Sequence, residues 1–313
     1  MDINSTSVAL LKCAHYSRKE IAVAVDRLCS ALGFRISKGE RVLLKPNLLS
    51  ARSAEHLACT HPEFVAAVAA WFVDRGAAVA IGDSPAFGSA RGVMRTIGIE
   101  KKLAGLPVRL INFDESVSVT LRGGLQVDLA RAALECDLLV NLPRVKAHSQ
   151  LYMTLAVKNY FGTVVGFQKP RWHLRYGNDA ETFASHLVDL LAVLPQSMTV
   201  IDGIIAMHKT GPVSGKPYHL GLVGAAVNPV ALDTALLQVL GLELEKSAIW
   251  KECRRRNFKG SIPETLVFPL ASPQELRAEE FRVPAILKPV SFNPLRMLVS
   301  GCRRFMAGLK ESS

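Results

Sequence analysis

The stretch Asn141-Leu142-Pro143-Arg144-Val145-Lys146-Ala147-His148 places an ammonium and an imidazole two positions apart. In extended backbone that spacing puts Lys146 and His148 on one face, a cation beside a group able to work as general acid or base near neutral pH. Ten residues on, Lys158-Asn159 sits between the apolar runs Leu155-Ala156-Val157 and Tyr160-Phe161. A lysine so enclosed either runs its stem along apolar surface to water or is held beside an anion or an acid. At Gly162 and Gly166 the missing Cβ allows a ligand to approach the backbone. These types and spacings nominate Lys146, His148 and Lys158 as catalytic groups, with Asn159 and Gly162 contacting an anionic substrate.

Three other segments add to this set. In Lys45-Pro46-Asn47 the proline locks its own φ and pushes Lys45 toward an extended conformation, so Lys45 reads as a further anion-holding cation and Asn47 as donor and acceptor. The bland alternative is a turn carrying a surface lysine. Asp83, in Gly82-Asp83-Ser84-Pro85, could bind a metal or a substrate hydroxyl, or cap a helix beginning near Gly88. With Asp202 and Asp233 it forms a candidate ligand set for a divalent metal, or a set of groups orienting the lysines. The run His208-Lys209-Thr210-Gly211-Pro212-Val213-Ser214-Gly215-Lys216-Pro217 reads as a flexible basic loop, with Lys209, Gly211 and Gly215 covering a phosphate or carboxylate. No Walker spacing and no G-x-G-x-x-G follows any strand, so neither standard mode of nucleotide binding is supported.

These residues are positioned by alternating elements. Short apolar runs at 8–11, 41–44, 77–81, 108–112, 138–141, 198–202 and 220–227 read as buried strands. Helical periodicity marks 19–32, 90–103, 130–135, 181–194 and 230–240, and a helix opened by His61-Pro62-Glu63 with Thr60 as its N-cap and Gly76 closing it. A hairpin is expected where Val117 to Leu121 and Leu125 to Leu129 flank Arg122-Gly123-Gly124. The pattern predicts an α/β fold, a mainly parallel sheet covered by helices on both faces in Rossmann-like layers. In such sheets ligands gather beyond the carboxyl ends of the strands, where the segments above fall. Residues 1–267 are expected to form this domain. Residues 268–313, with five closely spaced prolines, read as a basic strap ending in an amphipathic helix over 295–309, which could dock on the domain or on an anionic membrane surface.

The composition narrows the class. At 313 residues, 49% hydrophobic and with a mean hydropathy of +0.21, the chain has ample apolar surface for a core, which excludes disorder and coiled coil. Of its net charge of +11, residues 251–313 supply 12 basic against 6 acidic side chains. Arg254-Arg255-Arg256 has no interleaved aromatic platform, so nucleic acid is disfavoured as a partner. The six cysteines are scattered and no leader pattern precedes them, so a reducing cytoplasm is the expected location. No apolar run reaches the roughly 18 residues a membrane-spanning helix requires.

Taken in order, Leu44-Lys45-Pro46-Asn47, Gly82-Asp83-Ser84, Asn141 to His148, Ala156 to Gly162, Asp202-Gly203-Ile204, Gly211-Pro212 with Gly215, and Asn228-Pro229-Val230-Ala231-Leu232-Asp233 resemble the family called domain of unknown function 362. The resemblance covers about residues 8 to 241. It implies the shared α/β domain and no established reaction. Many members resemble iron-sulfur proteins through an appended ferredoxin-like segment. Here only Cys253 and Cys302 stand in the tail, so no cluster of its own is expected. The chain also departs from the family pattern at Arg144, Ala147 and His208. The expected function is an enzyme acting on a small carboxylate or phosphate, redox-linked or in cofactor metabolism. The alternative is a noncatalytic carrier of a metal, cluster or cofactor for a redox partner protein.

Overall fold

A computed structural model describes residues 5–50, 57–166 and 168–288. The expected tail helix over 295–309 lies outside the described residues. In chain order the strands are β1 (Ala9–Lys12), β2 (Arg41–Pro46), β3 (Ala78–Asp83), β4 (Val108–Asn112), β5 (Ser116–Thr120), β6 (Gln126–Ala130), β7 (Leu138–Leu142), β8 (Arg144–His148), β9 (Tyr152–Thr154), β10 (Ser197–His208) and β11 (Lys216–Ala226). Nine form one sheet in the order β1-β11-β10-β7-β2-β3-β4, with β8 and β9 continuing beside β10, while β5 and β6 make a separate hairpin. The pairs β2/β3, β2/β7, β3/β4, β7/β10 and β8/β10 are parallel, and β1/β11, β10/β11 and β8/β9 are antiparallel.

Successive side chains on a strand face opposite ways, and here both faces are apolar. On one face Val42, Leu44, Ile81 and Val140 pack with Ile21, Leu28, Phe64 and Phe72 of the helices Arg18–Ala31 and Pro62–Val73. On the other, Leu43 and Leu139 meet Phe183, Leu187 and Ile249 of the helices Ala180–Asp189 and Ala248–Arg255. Leu10, Ile201 and Leu222 extend that layer under the helix Pro229–Val239. The result is the expected three-layer α/β sandwich.

Some local expectations change. The helix at 62–73 is capped by His61, whose ring accepts from the Glu63 amide, because the Thr60 hydroxyl is already donating to the Leu142 carbonyl at 2.6 Å. The helix beyond β3 is capped by Ser89, not Asp83, and the expected run over 90–103 breaks into Ala90–Thr96 and Ile99–Lys102 at Gly98, whose φ is +88°. The strap residues 268–288 lie along the domain, with the Ala271 amide bonded to the Leu10 carbonyl and the Lys288 amide to the Ser149 carbonyl.

Candidate functional site

The tips of β2 and β3 carry a buried ion pair. Lys45 Nζ lies 2.8 Å from Asp83 Oδ1, with side chains 0% and 2% exposed. Asp83 Oδ2 accepts from the Leu48 amide at 2.8 Å. A Cβ at position 162 would collide with both Asp83 Oδ1 and Lys45 Nζ, so only glycine lets the backbone cross here. Three sequence segments far apart in the chain therefore meet at one point, and both members of the pair are occupied by each other rather than held open for a ligand.

Beside the pair runs a ladder of amides. Asn141 Nδ2 donates to the Ala156 carbonyl at 3.0 Å; that carbonyl can only accept, so Asn141 Oδ1 is the atom facing Asn159. Asn159 Nδ2 then donates to it at 2.7 Å, and Asn159 Oδ1 accepts from Asn47 Nδ2 at 2.8 Å. The polarity set at the far end leaves Asn47 Oδ1 as a buried acceptor with no donor among the described residues.

In β8 the side chains of Val145 and Ala147 join the apolar layer, which turns Lys146 and His148 together toward the opposite side. Lys146 is 2% exposed and donates to the Ala58 carbonyl at 2.8 Å. Burial lowers it to about 8, and Arg144 and Lys45 push the same way against the opposing Cys59 and Asp83. Lys158, at the end of the turn Ala156–Asn159, stands 5.5 Å from the Phe161 ring centre and 6.0 Å from that of Phe183. Burial, then the charge of Lys146, lowers Lys158 to about 7. Among the described residues no carboxylate pairs with either ammonium. His148 Nδ1 accepts from the amides of Gln150 and Leu151, at 3.1 Å each. Burial, then Lys158, Lys146 and His173, hold its protonation well below the usual imidazole range.

The three aspartates do not share a metal site. Asp202 Oδ1 accepts from the Tyr16 hydroxyl at 2.8 Å and Oδ2 from the His61 amide at 3.0 Å. Asp233 accepts from the Ala156 and Val157 amides at 2.7 and 3.1 Å, capping the turn that presents Lys158, and burial lifts it to about 7. Each carboxylate is thus consumed separately, and no group of three metal-ligating side chains occurs among the described residues. The candidate set Asp83, Asp202 and Asp233 becomes three positioning groups.

A family model described as domain of unknown function (DUF362) matches residues 42–238, from the start of β2 to the helix Pro229–Val239, and takes in every group above except Tyr16. The chain belongs to this family. It is 35% identical over 303 residues to a thylakoid-associated protein of Synechocystis, covering 96% of this chain and 94% of that one. Two solved structures resemble it at a TM-score of 0.45. One is a structural-genomics protein of Thermotoga maritima, 12% identical over 66% of this chain and 56% of that one. The other is a lactate racemase apoprotein of Thermoanaerobacterium thermosaccharolyticum, 11% identical over 74% and 57% respectively. The chain spans a little over half the length of these two structures.

Within the DUF362 match, the segment 209–215 is the turn of the β10/β11 hairpin. Gly211 packs so closely on the Ala147 carbonyl of β8 that no side chain fits, and Gly215 does the same against Met207, while Lys209 is exposed. Gly211 holds the hairpin against the strand bearing His148, Gly215 lets the hairpin close on its own strand β10, and Lys209 stays at the surface.

Sequence reasoning missed Tyr16 and His61 and passed over Arg144. The Tyr16 and His61 rings stack at 3.5 Å between centroids, Arg144 donates to the Cys59 and Ile205 carbonyls at 2.9 and 2.8 Å, and Arg144 Nη2 reaches the Tyr16 hydroxyl at 3.3 Å. This network ties the segment carrying Ala58, the acceptor of Lys146, to β8 and β10. Tyr16 precedes the first helix without periodicity to mark it, and His61 reads as part of a helix start.

Proposed function

We propose that this protein is an enzyme that binds a small carboxylate or phosphate between Lys146, Lys158 and His148. This reading rests on two neighbouring ammonium groups, Lys146 buried and Lys158 half-buried, that stand beside a buried histidine with no carboxylate paired to either among the described residues. Buried charges ordinarily come with partners, so an arriving anion supplies the missing one. Lys158, titrating near neutrality, is suited to take up or give back a proton beside the bound anion. Lys45, Asp83 and the asparagine ladder fix the strand tips, and Asp233 fixes the turn bearing Lys158. A thermal-shift screen of small carboxylates and phosphates tests this. A ligand that binds only the folded chain raises its melting temperature. Binding followed by conversion supports the enzyme. Binding without conversion favours a carrier, and no stabilisation by any anion refutes the site.

A second reading concerns location. The relative is named thylakoid-associated, and residues 289–313 contain Arg296, Arg303, Arg304 and Lys310 against a single Glu311. We propose contact with an anionic membrane surface through this tail. No helix among the described residues is long and apolar enough to cross a membrane. Sedimentation with anionic lipid vesicles that weakens with salt and disappears on truncation after Val290 is the expected result; salt-independent or absent binding refutes it.

A further inference from the structure

His148 stands at the start of the hairpin joining β8 to β9, where it pairs with Tyr152. The two strands are separated by only Ser149, Gln150 and Leu151, and Tyr152 takes a φ of +69° to close the turn. In this tight turn the Gln150 and Leu151 amides point back at His148 Nδ1, each at 3.1 Å. The Gln150 side chain is itself anchored, donating to the Gly177 carbonyl at 2.8 Å, and Leu151 is 1% exposed. Two backbone N–H groups can bond only to an unprotonated nitrogen, so the proton of the neutral ring resides on Nε2. A proton on Nδ1 would face two donors. A second proton would have to be accommodated beside Lys146, Lys158 and His173, none of them a carboxylate.

We propose that the β8/β9 hairpin locks His148 as a neutral ring protonated on Nε2, which serves the anion site as a fixed hydrogen-bond donor and not as a base. This rests on the anion-site reading above. It also defines the ligand more closely: beside two ammonium groups, this N–H calls for a bound group that turns an unprotonated, negatively charged oxygen toward it, as a carboxylate or phosphate does. Preset donors of this kind stabilise negative charge without reorganising when it develops.

The test is ring-nitrogen NMR of the full chain labelled with ¹⁵N-histidine, the His148 signals being assigned by their loss in His148→Gln or His148→Asn. The expected spectrum shows Nδ1 unprotonated and Nε2 protonated, unchanged from roughly pH 6 to pH 8, where an ordinary histidine titrates. Inorganic phosphate should then move the Nε2 signal more than the Nδ1 signal. His148→Gln, which retains an N–H donor, should bind phosphate more tightly than His148→Ala. A ring protonated on Nδ1, or one that titrates in this range, overturns the proposal even where phosphate binds. An Nε2-protonated ring in a protein that binds neither phosphate nor small carboxylates leaves the locked tautomer standing and sinks the anion site instead.

Discussion

Lys45 and Asp83 bridge the tips of two adjacent parallel strands through a 2.8 Å contact sealed from solvent on both sides. Removing one partner leaves the other charge buried and uncompensated, which costs about 3–5 kcal/mol. Lys45→Met is therefore expected to lower the unfolding free energy in urea by that amount. Lys45→Met combined with Asp83→Asn, which keeps an acceptor for the Leu48 amide, should recover a large part of the loss. A double variant no more stable than the single one would contradict a charge-based account.

Gly162 is needed for space and not for backbone angle, since a Cβ there would strike both members of the pair. Gly162→Ala should destabilise the chain by about 1–3 kcal/mol through overpacking. Urea unfolding of Gly162→Ala in the parent and in Asp83→Asn, where the pair is already weakened, should show the two changes to be non-additive. Additive losses would mean that Gly162 and the pair are independent.

Much of this architecture was legible because strands buried on both faces read as apolar runs, and the segments that follow them stand out by their polar residues. The chemistry of individual residues was less so. Lys45 looked like an anion binder or a turn lysine, since its true partner lies 38 positions away and only strand pairing brings Asp83 alongside. Asp233 looked like a metal ligand, yet it caps a turn that no periodicity announces. The helix Gln168–Tyr176 escaped detection because Lys169, Pro170, Arg171, His173 and Arg175 mask its buried Trp172. Arg256 read as part of a basic patch, whereas it pairs with Asp189 at 2.5 Å and Glu252 at 2.6 Å.

Asp233 gives a pH signature. Its folded value, raised to about 7 by burial, lies above the roughly 3.9 of an unfolded aspartate. The stability this contributes is fully present below the unfolded value and is lost as pH rises through 7. Asp233→Asn cannot ionise, so its stability relative to the parent should improve between about pH 4 and pH 7, by up to ~1.4 kcal/mol per pH unit. Urea melts across this range check it; a gap independent of pH would show that Asp233 is not a buried, reluctantly ionised cap.

Whether Lys146 and Lys158 hold an anion is decided by calorimetric titration with inorganic phosphate, and with acetate for the pH dependence. Both lysines titrate low, Lys158 at about 7 and Lys146 at about 8, and both must be protonated to hold the ligand in full. For acetate, whose charge is constant across this range, affinity should therefore be highest near pH 6 and fall as pH rises through 7 and 8. Lys158→Met and Lys146→Met should each weaken binding by on the order of tenfold or more, the scale of a lost charge-assisted hydrogen bond. Lys209→Met, at an exposed hairpin turn, should leave it unchanged. Phosphate binding as strong in the Lys146 and Lys158 variants as in Lys209→Met, or acetate binding that strengthens with rising pH, would rule the anion site out.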